Sequence, residues 1–487
     1  RRSSDRSEER RVGKECKQIK ADYSKTYLLP PSLEDWVPAN HPVRFIREFV
    51  ENLDLKELGF KVESNAEGRP FYSSDIMLKI WLYGYFNKVR SSRELEKQSK
   101  ENMGLLWLIG MESPDHNTIW RFWKKNKKVL RKIFKESVIT ADKLDLVGMV
   151  LNAIDGTKIK AYSSNRGLKR RGELKEMLQA IDDSINKMMK TVETNEKIEG
   201  GSYSLPKELQ DKTKLKEKIQ KALEQKTKKD KGQINPDEHE ARVMPNSGKK
   251  ELSYNAQAVV DSKNGLIISA EVVNESNDGR QLVPMIESVK DTIGRIAKDN
   301  LADGGYATAE QVGKADEMGY NAIVNLTGGN QLKQNEDEPY HPSNFRYDKE
   351  KDVMYCPENK ELKYIRTKDF YNKRYKVRLY KTNACKQCKV KALCSKNRSS
   401  RTIKLSEYHE SIERQRLLNK DINKREKLKQ RKAIVEPIFG IIKHAHNFRR
   451  FTYKGLENAR TQWLMICTAV NLRKLYNVWS ANQIKFA

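Results

Sequence analysis

From residue 252 the sequence alternates between β-strand and helical patterns, and this alternation limits the possible folds more than any other feature. The stretch "LSYNAQAVVDSKNGLIISAEVV" holds two apolar runs separated by "DSKNG", which is a strong β-hairpin signal. A helix is predicted over roughly residues 279–296, then a strand before "ADGGYAT", a second helix and a strand at "YNAIVNL". Strands and helices in this order predict a mixed α/β sheet.

Another strand pattern, "MVLNAIDGTKIK" at residues 149–160, lies well before this hairpin. Between the two, apolar residues recur at coiled-coil spacings of four and three, namely Leu174, Leu178, Ile181, Ile185, Met188 and Val192. After the break "EGGSYSLP", a second amphipathic stretch carries Leu215, Ile219 and Leu223. We interpret the two stretches as an antiparallel helical hairpin inserted after the first strand, with a role in packing or assembly.

Residues 26–145 have helical patterns throughout, with short apolar helices separated by tight turns. The segment "SPDHNTIWRFWKKNKKVLRKIF" opens with helix-capping residues and is rich in Trp, Phe, Arg and Lys. Short helices with basic faces resemble a helix-turn-helix module, and a plain helical bundle is the equal alternative. The basic and aromatic helix from Asn117 to Phe134 favours DNA binding, with Arg121 and Lys124 as candidate contacts.

The net charge of +29 and the pI of about 9.6 indicate a polyanionic partner, most simply nucleic acid. A basic protein of membrane surfaces is the competing interpretation. No apolar run reaches the roughly 18 residues that could span a bilayer, and the N-terminus has no signal-peptide core. The six cysteines show no secreted-type framework, which fits a reducing cytoplasm.

Two acids in this sequence each follow an apolar strand pattern and precede a glycine. Asp155 is predicted to lie where the strand formed by the run Met149–Ile154 ends, and Asp303 at the end of the strand at "NLA". Two carboxylates that leave adjacent strands at one sheet edge can share a divalent ion. Glu436, on a predicted helix, is the candidate for a third acid, and Lys443 lies seven residues further on the same helical face. This set suits phosphoryl transfer, although Asp155 alone also fits an ordinary turn acid.

Several stretches together carry a resemblance to a known family. They are "FYSSDIMLKIWLYGYFNKVRSSRELE", "SPDHNTIWRF", "IDGTKIKA", "YNAQAVVD", "ADGGYAT", "CKQCKVKALC" and "VEPIFGIIKHAHNFRRF". In this order the sequence resembles the DDE transposases of bacterial insertion sequences, in the broad IS4/IS5-like group and most closely the IS1182 type. The resemblance covers about residues 25–475. Each stretch is weak singly, and their shared order makes the match specific.

This resemblance implies an RNase H-like catalytic core in which Asp155, Asp303 and Glu436 bind two Mg²⁺ or Mn²⁺ ions. It implies an enzyme that binds terminal inverted repeats of double-stranded DNA and catalyses DNA cleavage and strand transfer. Synapsis of two ends implies at least a homodimer on DNA, in the bacterial cytoplasm with the nucleoid. The alternatives are a catalytically silent DNA-binding relic and an RNase H-like nuclease without strand transfer.

The expected organisation is an α/β core with a helical N-terminal region and two insertions. We predict a disordered basic tail over residues 1–25, a helical DNA-binding domain over 26–145, core segments over 146–165 and 236–330, the helical hairpin over 166–235, a Cys-bearing insert over 331–404, and C-terminal helices completing the core over 405–480.

Related transposases carry a Tyr, Arg, Glu, Lys signature around the glutamate. Here Lys443 follows Glu436 at the expected spacing, and Arg431 or Lys432 supplies the basic residue. Arg431 and Lys432 are also candidate DNA contacts. The tyrosine is missing, since Leu428 and Lys429 stand near its place. This absence leaves open any step that uses the tyrosine to position DNA. Further along, Arg449 and Arg450 are candidates to grip a phosphate, with a plain surface role as the equal alternative.

Four of the cysteines, Cys356, Cys385, Cys388 and Cys394, read C-x28-C-x2-C-x5-C. A Cys-x2-Cys pair is the usual half of a tetrahedral zinc site. The spacing therefore favours a structural Zn²⁺, with four reduced thiols as a close alternative. Asp261 and Asp278 are interpreted as a turn acid and a helix cap.

Overall fold

The computed structural model describes residues 32–61, 71–199, 207–224, 232–246, 248–326, 332–335, 337–370, 374–396 and 400–481. The tail predicted to be disordered, residues 1–25, lies outside them. Within the described residues the chain forms a helical N-terminal region, a central mixed sheet, a helical hairpin, a second sheet and three C-terminal helices.

The described N-terminal helices are α1 (Leu33–Trp36), α2 (Pro42–Glu51), α3 (Leu55–Leu58), α4 (Ser74–Phe86), α5 (Ser92–Glu101), α6 (Met103–Leu108) and α7 (His116–Lys143). Helix α4 is buried on all sides from Met77 to Phe86, which explains why it is apolar around its whole circumference. Helix α7 begins where the Asp115 carboxylate accepts hydrogen bonds from two backbone amides. It buries Ile119 and Trp123 and leaves its basic residues on the other side.

The central sheet is built from β1 (Leu151–Lys160), β4 (Arg242–Asn246), β5 (Lys249–Asp261), β6 (Ile267–Val273), β7 (Asp299–Ala302) and β8 (Ala322–Val324). Strand β1 lies in the middle, antiparallel to β5 and parallel to β7. On the far edge of β5 lie β4 and β6, and β8 runs parallel to β7. Helices α10 (Leu282–Ile293) and α11 (Ala309–Glu317) make the connections before and after β7. The α/β alternation predicted from the sequence thus forms one six-stranded sheet.

A helical hairpin interrupts this sheet between β1 and β4. It consists of α8 (Arg171–Glu199) and α9 (Lys207–Glu224), flanked by the short strand pair β2 (Lys169–Arg170) and β3 (Gln233–Ile234). Leu174 and Ile219, both from the predicted apolar stripes, are fully buried against each other's helix in a small cluster of their own. The hairpin is therefore a local packing unit, as its sequence pattern predicts.

A second sheet, which the sequence did not predict, follows the central one. Its strands are β9 (Arg346–Asp348), β10 (Val353–Tyr355), β11 (Glu361–Phe370), β12 (Tyr375–Lys381) and β13 (Thr402–Ser406), all antiparallel and paired in chain order, with the short helix α12 (Lys391–Cys394) before β13. Only Leu362 of the ten residues in β11 is buried. Because so few positions face a core, the strand has no alternating apolar pattern to detect.

The C-terminal helices are α13 (His409–Lys420), α14 (Ile422–Gly440) and α15 (Leu456–Ser480), with a π-helical turn at Ile441–Ala445. Helix α15 packs on α7, α4 and β6, so it joins the N-terminal helices to the sheet. One hydrophobic cluster runs from Phe45 of α2 through the sheet to Leu475 of α15. The N-terminal region and the central sheet therefore share a single core.

Candidate active site

Asp155 and Asp303 are brought together by the pairing of β1 with β7. In this parallel pair Ala153 lies opposite Leu301, so the same register continued by two residues places Asp155 beside Asp303. The prediction that Asp155 ends its strand is wrong, because β1 continues to Lys160 through its pairing with β5. Only β7 ends here, at Ala302, and its end leaves the edge of β1 open beside Asp155.

The Asp155 carboxylate is held by a buried arginine from α14. Arg431 is 8% exposed, and its Nη1 lies 2.9 Å from Asp155 Oδ2 without forming an aligned hydrogen bond. Burial raises the pKa of Asp155, Arg431 opposes this rise, and the neighbouring Asp303 carboxylate adds to it. The pKa of Asp155 is raised on balance, so Arg431 compensates the ionised Asp155 carboxylate only in part.

A cluster of polar side chains covers the opposite face of β1, above Gly156. Asn255 Nδ2 and Gln257 Nε2 both donate to Asp278 Oδ1, at 2.7 and 2.6 Å. A Cβ on Gly156 would lie 2.4 Å from Gln257 Nε2 and 2.8 Å from Asp278 Oδ1, so only glycine leaves room for the cluster. The interpretation of Asp278 as a helix cap is wrong, since α10 begins after Gln281 and its cap makes no side-chain hydrogen bond.

Lys158 and Tyr306 complete this cluster. Lys158 Nζ lies 3.4 Å from Asp278 Oδ1, and the Tyr306 hydroxyl donates to Gln257 Oε1. Burial raises the pKa of Tyr306 well above its ordinary value, and the carboxylates of Asp278, Asp155 and Asp303 add to the effect. The phenol is therefore a neutral hydrogen-bond donor inside an acidic neighbourhood.

Glu436 lies outside this arrangement. Its side chain is exposed on α14, and within the described part of the chain it makes no hydrogen bond or ion pair. It is five residues after Arg431, about 140° around the helix. The same-face prediction for Glu436 and Lys443 assumed a continuous α-helix, whereas the π turn at Ile441–Ala445 changes the angle between them.

Lys443 is near enough to Asp155 for the carboxylate to affect its pKa. Its ammonium is half-buried, and burial lowers its pKa, as do Arg449 and Lys158, while Asp155 raises it. Among the residues that the structure describes, no three His, Cys, Asp or Glu side chains lie close enough to hold a metal ion. The donor chemistry nevertheless fits Mg²⁺ or Mn²⁺, because carboxylate oxygens are their preferred protein ligands.

The candidate DNA contacts fall into three groups. Arg121 and Lys124 on α7 and Lys432 on α14 are exposed, and each lacks a partner among the described side chains. Arg449 Nε donates to the Lys443 carbonyl, and Arg450 Nε donates to the Ala161 carbonyl. Both exposed arginines are therefore hydrogen-bonded to the protein's own backbone. Arg431, predicted as a DNA contact, is instead buried against Asp155.

The four insert cysteines surround one cavity of about 30 Å³. The Lys360 amide donates to Cys356 Sγ at 3.3 Å, and Arg401 Nη1 lies 3.1 Å from Cys394 Sγ. Cys467 is separate and fully buried in α15, as expected for a core residue.

Sequence reasoning missed Lys158, Asn255, Gln257 and Tyr306, and it misassigned Asp278. One signal was present: Asn255 and Gln257 are two polar residues at i and i+2 inside an otherwise apolar strand, so they share a face. Buried polar residues in such a position need partners, which here come from the loop before α10.

Comparison with protein families bears on both halves of the molecule. A family described as "Transposase DDE domain" matches residues 355–476, and one described as "Transposase domain (DUF772)" matches residues 31–125. No curated protein and no solved structure matches the chain. Among the described residues, no helix is long and apolar enough to cross a membrane.

Proposed function

This chain is an insertion-sequence DDE transposase of the IS1182-like type, and from that premise we propose that it binds the terminal inverted repeats of its element and cleaves and joins DNA by metal-dependent phosphoryl transfer. The observation that supports the proposal is that Asp155 lies near Asp303, as the register of β1 with β7 indicates, and beside a buried arginine. A carboxylate pair of this kind suits a divalent cation and a phosphate.

An RNase H-like core is part of the proposal. The strand order β6-β5-β1-β7-β8 supports it, with the first three strands antiparallel and the last two parallel to β1. In this arrangement the middle strand carries Asp155, and the next strand ends at Asp303. Fold alone does not specify an activity, so the proposal rests on the side chains at this position.

Each side chain has an assigned role in the proposed reaction. Asp155, Asp303 and Glu436 would hold Mg²⁺ or Mn²⁺, which when bound supplies Lewis-acid stabilisation of the phosphate. Arg431 orients Asp155 and neutralises it until a cation binds. Lys443 offers its ammonium to a DNA phosphate. Glu436 must turn toward the sheet to join the others, and the adjoining π turn is a place where the helix can adjust.

DNA is the proposed partner, and the chain is proposed to act on it as a homodimer or larger assembly in the nucleoid of a bacterial cytoplasm. The net charge of +29 and the exposed residues Arg121, Lys124 and Lys432 support this. Cationic side chains that bind DNA displace the counterions of its phosphates. The logarithm of the binding constant should therefore fall linearly with the logarithm of the salt concentration. An affinity that does not change between 50 and 200 mM salt would contradict the proposed DNA surface.

We also propose that the insert holds a structural Zn²⁺ on Cys356, Cys385, Cys388 and Cys394. The shared cavity and the two donors to sulfur support it. Purified protein should contain one zinc per chain, and Co²⁺ substitution should give thiolate charge-transfer absorption that Cys388→Ser weakens. If the purified protein contains no zinc and shows no such absorption after Co²⁺ is added, the four cysteines are reduced thiols without a metal.

The activity is tested on labelled DNA that carries the element's own ends. Wild type should cut at the element boundary with Mg²⁺, and Asp155→Asn, Asp303→Asn and Glu436→Gln should each lose at least about 10³-fold in rate, because several kcal/mol of charge stabilisation is removed. The matched control is Asp291→Asn, an exposed acid on α10. End binding without cutting in every protein would identify a DNA-binding relic. Cutting without joining would identify a nuclease.

A further inference from the structure

We propose that one face of the second sheet binds the phosphate backbone of duplex DNA, whatever its base sequence. The inference rests on the proposed function, since it adds a surface for the same partner. The candidate DNA contacts on α7, on α14 and at Arg449 and Arg450 lie outside this sheet. We call the surface the basic face, and its cationic residues are Lys363, Arg366 and Lys368 of β11, Lys381 of β12 and Lys404 of β13.

Strand register places these five residues on one side of the sheet. Lys363 lies opposite Lys381, and Arg366 and Lys404 lie opposite the same residue of β12. A β-bulge between Lys363 and Arg366 keeps both on one side, and Lys368 follows Arg366 by two residues. Residues that are directly paired, or two apart on one strand, share a face of a sheet. The basic face is therefore a product of strand pairing.

The other side of the sheet carries its small core and a charge that is already neutralised. The guanidinium of Arg378, on this other side, forms an ion pair with Asp352. The basic face points away from the core, and four of its five cations are exposed, with Lys381 partly covered. The core residues on the far side of these three strands are Leu362, Tyr380, Ile403 and Leu405.

The cations of the basic face are not neutralised within the protein. Among the residues that the structure describes, none of the five side chains has a hydrogen-bond or ion-pair partner. Lys404 Nζ lies over the ring of Phe370, 4.7 Å from its centroid. Two acids share this side of the sheet, Asp348 on β9 and Glu361 at the start of β11, and neither pairs with the five cations.

Two of the cations oppose each other directly. Lys363 and Lys381 are paired across β11 and β12, which puts their Cβ atoms roughly 5 Å apart. Like charges in this position destabilise a sheet, and this sheet has only six buried core residues to offset the repulsion. A bound polyanion removes the repulsion. A second copy of this chain does not, because it carries the same net charge of +29.

The size of the basic face fits a stretch of DNA backbone. From Lys363 to Lys368 the register advances by four positions of β12, roughly 14 Å. Lys404 lies two strands across from β11, roughly 10 Å away. One DNA strand carries a phosphate about every 3.4 Å of helix axis, so the face spans about four phosphates. Contacts of Lys and Arg with phosphate carry no information about base sequence.

The test compares a double variant, Lys363→Gln with Lys381→Gln, with wild type. Binding is measured from 50 to 200 mM salt on DNA bearing the element's ends, on an unrelated duplex of equal length and on duplex RNA. Each lost phosphate contact lowers the salt slope by about 0.9. We therefore expect a slope smaller by about 2 and affinity about 10-fold weaker on both DNAs. The melting temperature should be unchanged or higher, since the repulsion is gone.

The matched control is Lys351→Gln with Lys376→Gln, which removes the same charge from exposed lysines of this sheet outside the basic face. It should bind both DNAs like wild type. A second variant, Arg366→Gln with Lys368→Gln, should reproduce the smaller slope without touching the opposed lysines. If the first variant melts lower and the second binds DNA normally, the lysines are structural and the inference is overturned.

The remaining outcomes separate the inference from the proposed function. Wild-type affinity and slope in both variants would overturn the inference, and cutting of end-bearing DNA by wild type would leave the proposed function standing. A loss confined to end-bearing DNA, or to RNA, would also overturn it, because the proposed contact is to duplex DNA of any sequence. If wild type binds neither DNA, both the inference and the proposed function are wrong.

Discussion

The central sheet and the second sheet are stabilised by hydrophobic cores of very different size. The central sheet shares a hydrophobic cluster with α2, α4, α7 and α15, which extends through most of the chain. The second sheet has its own core of only six buried residues, which are Phe345, Met354, Leu362, Tyr380, Ile403 and Leu405. A core this small gives little stability by itself, and small units of this kind commonly rely on a metal or another cross-link.

The difference also separates the two sets of side chains proposed to bind metal. Asp155 lies on β1 and Asp303 directly after β7, two strands that the large core fixes. The cysteines of the insert surround a cavity beside its small core, and Cys356 and Cys394 pack against that core. We infer that the acids serve the reaction, whereas the thiols serve the fold.

The largest effect is expected from breaking the shared core. Phe45 of α2 is fully buried, with its ring centroid 5.8 Å from those of Tyr476 and Trp479 on α15. Phe45→Ala should lower the free energy of unfolding by about 3–5 kcal/mol. If the core is continuous, calorimetry will show the N-terminal helices and the sheet melting together at a lower temperature. A separate early transition of the N-terminal helices alone would contradict the shared core.

A core substitution in the second sheet should have a local effect. Leu362 is the one buried residue of β11. Leu362→Ala should cost about 2–5 kcal/mol, which is enough to open a sheet with so small a core. Hydrogen exchange should then accelerate in β9–β13 while the amides of β1 and β5 keep their protection. Equal acceleration in both sheets would show that the two regions unfold as one.

Acid should destabilise the shared core through His446. This side chain is 1% exposed and its Nδ1 has no hydrogen-bond partner. Burial lowers its pKa to about 4, with help from Arg473, Lys88 and Arg90. Because the unfolded imidazole titrates near 6.5, this stability is fully present above that pH and is lost as the pH falls toward 4, by at most about 3 kcal/mol. In urea titrations, His446→Gln should lack this pH dependence, and a variant that retains it would contradict this assignment.

The smallest effect is expected at the surface of the shared core. Arg295, just before β7, forms an ion pair with Asp142 of α7, and both of its terminal nitrogens reach the carboxylate. The guanidinium is half-exposed, so Arg295→Met should cost no more than about 1 kcal/mol. A loss above 2 kcal/mol in denaturant titration would mean that the N-terminal helices are held by surface charges as much as by burial.

The sequence predicted those parts of the fold in which apolar residues recur at regular spacing. The α/β alternation and the helical hairpin follow from apolar spacing, and the resemblance to insertion-sequence transposases is confirmed. The second sheet could not be predicted, because its strands are short and β11 buries one residue. Asp155 was expected at a strand end because the apolar run Met149–Ile154 stops just before it. Here Gly156 stays in β1, since Gln257 and Asp278 occupy the space of its side chain.

The site was predictable only in part. Asp155 and Asp303 were found as an acid–glycine pair, and their closeness comes from strand register, which no local pattern reveals. The hydrogen bonds of Asp278 are made with a strand about twenty residues earlier in the chain. In the sequence, nothing distinguishes Arg431 from the basic residues expected to contact DNA. It is buried beside Asp155 because α14 packs on β1. These contacts arise only in the folded protein, so the spacing of residues in the sequence could not predict them.

The most direct test of the account measures cutting and stability on one variant, Asp155→Asn. End-bearing DNA with Mg²⁺ and thermal unfolding should be followed on the same preparation, beside wild type. We expect that cutting is lost while end binding is kept and the protein stays folded, with a lower melting temperature because Arg431 loses its buried partner, a loss that relief of the repulsion from Asp303 partly offsets. Cutting at the wild-type rate, or lost cutting that comes only with a collapsed fold, would contradict a functional role for this acid.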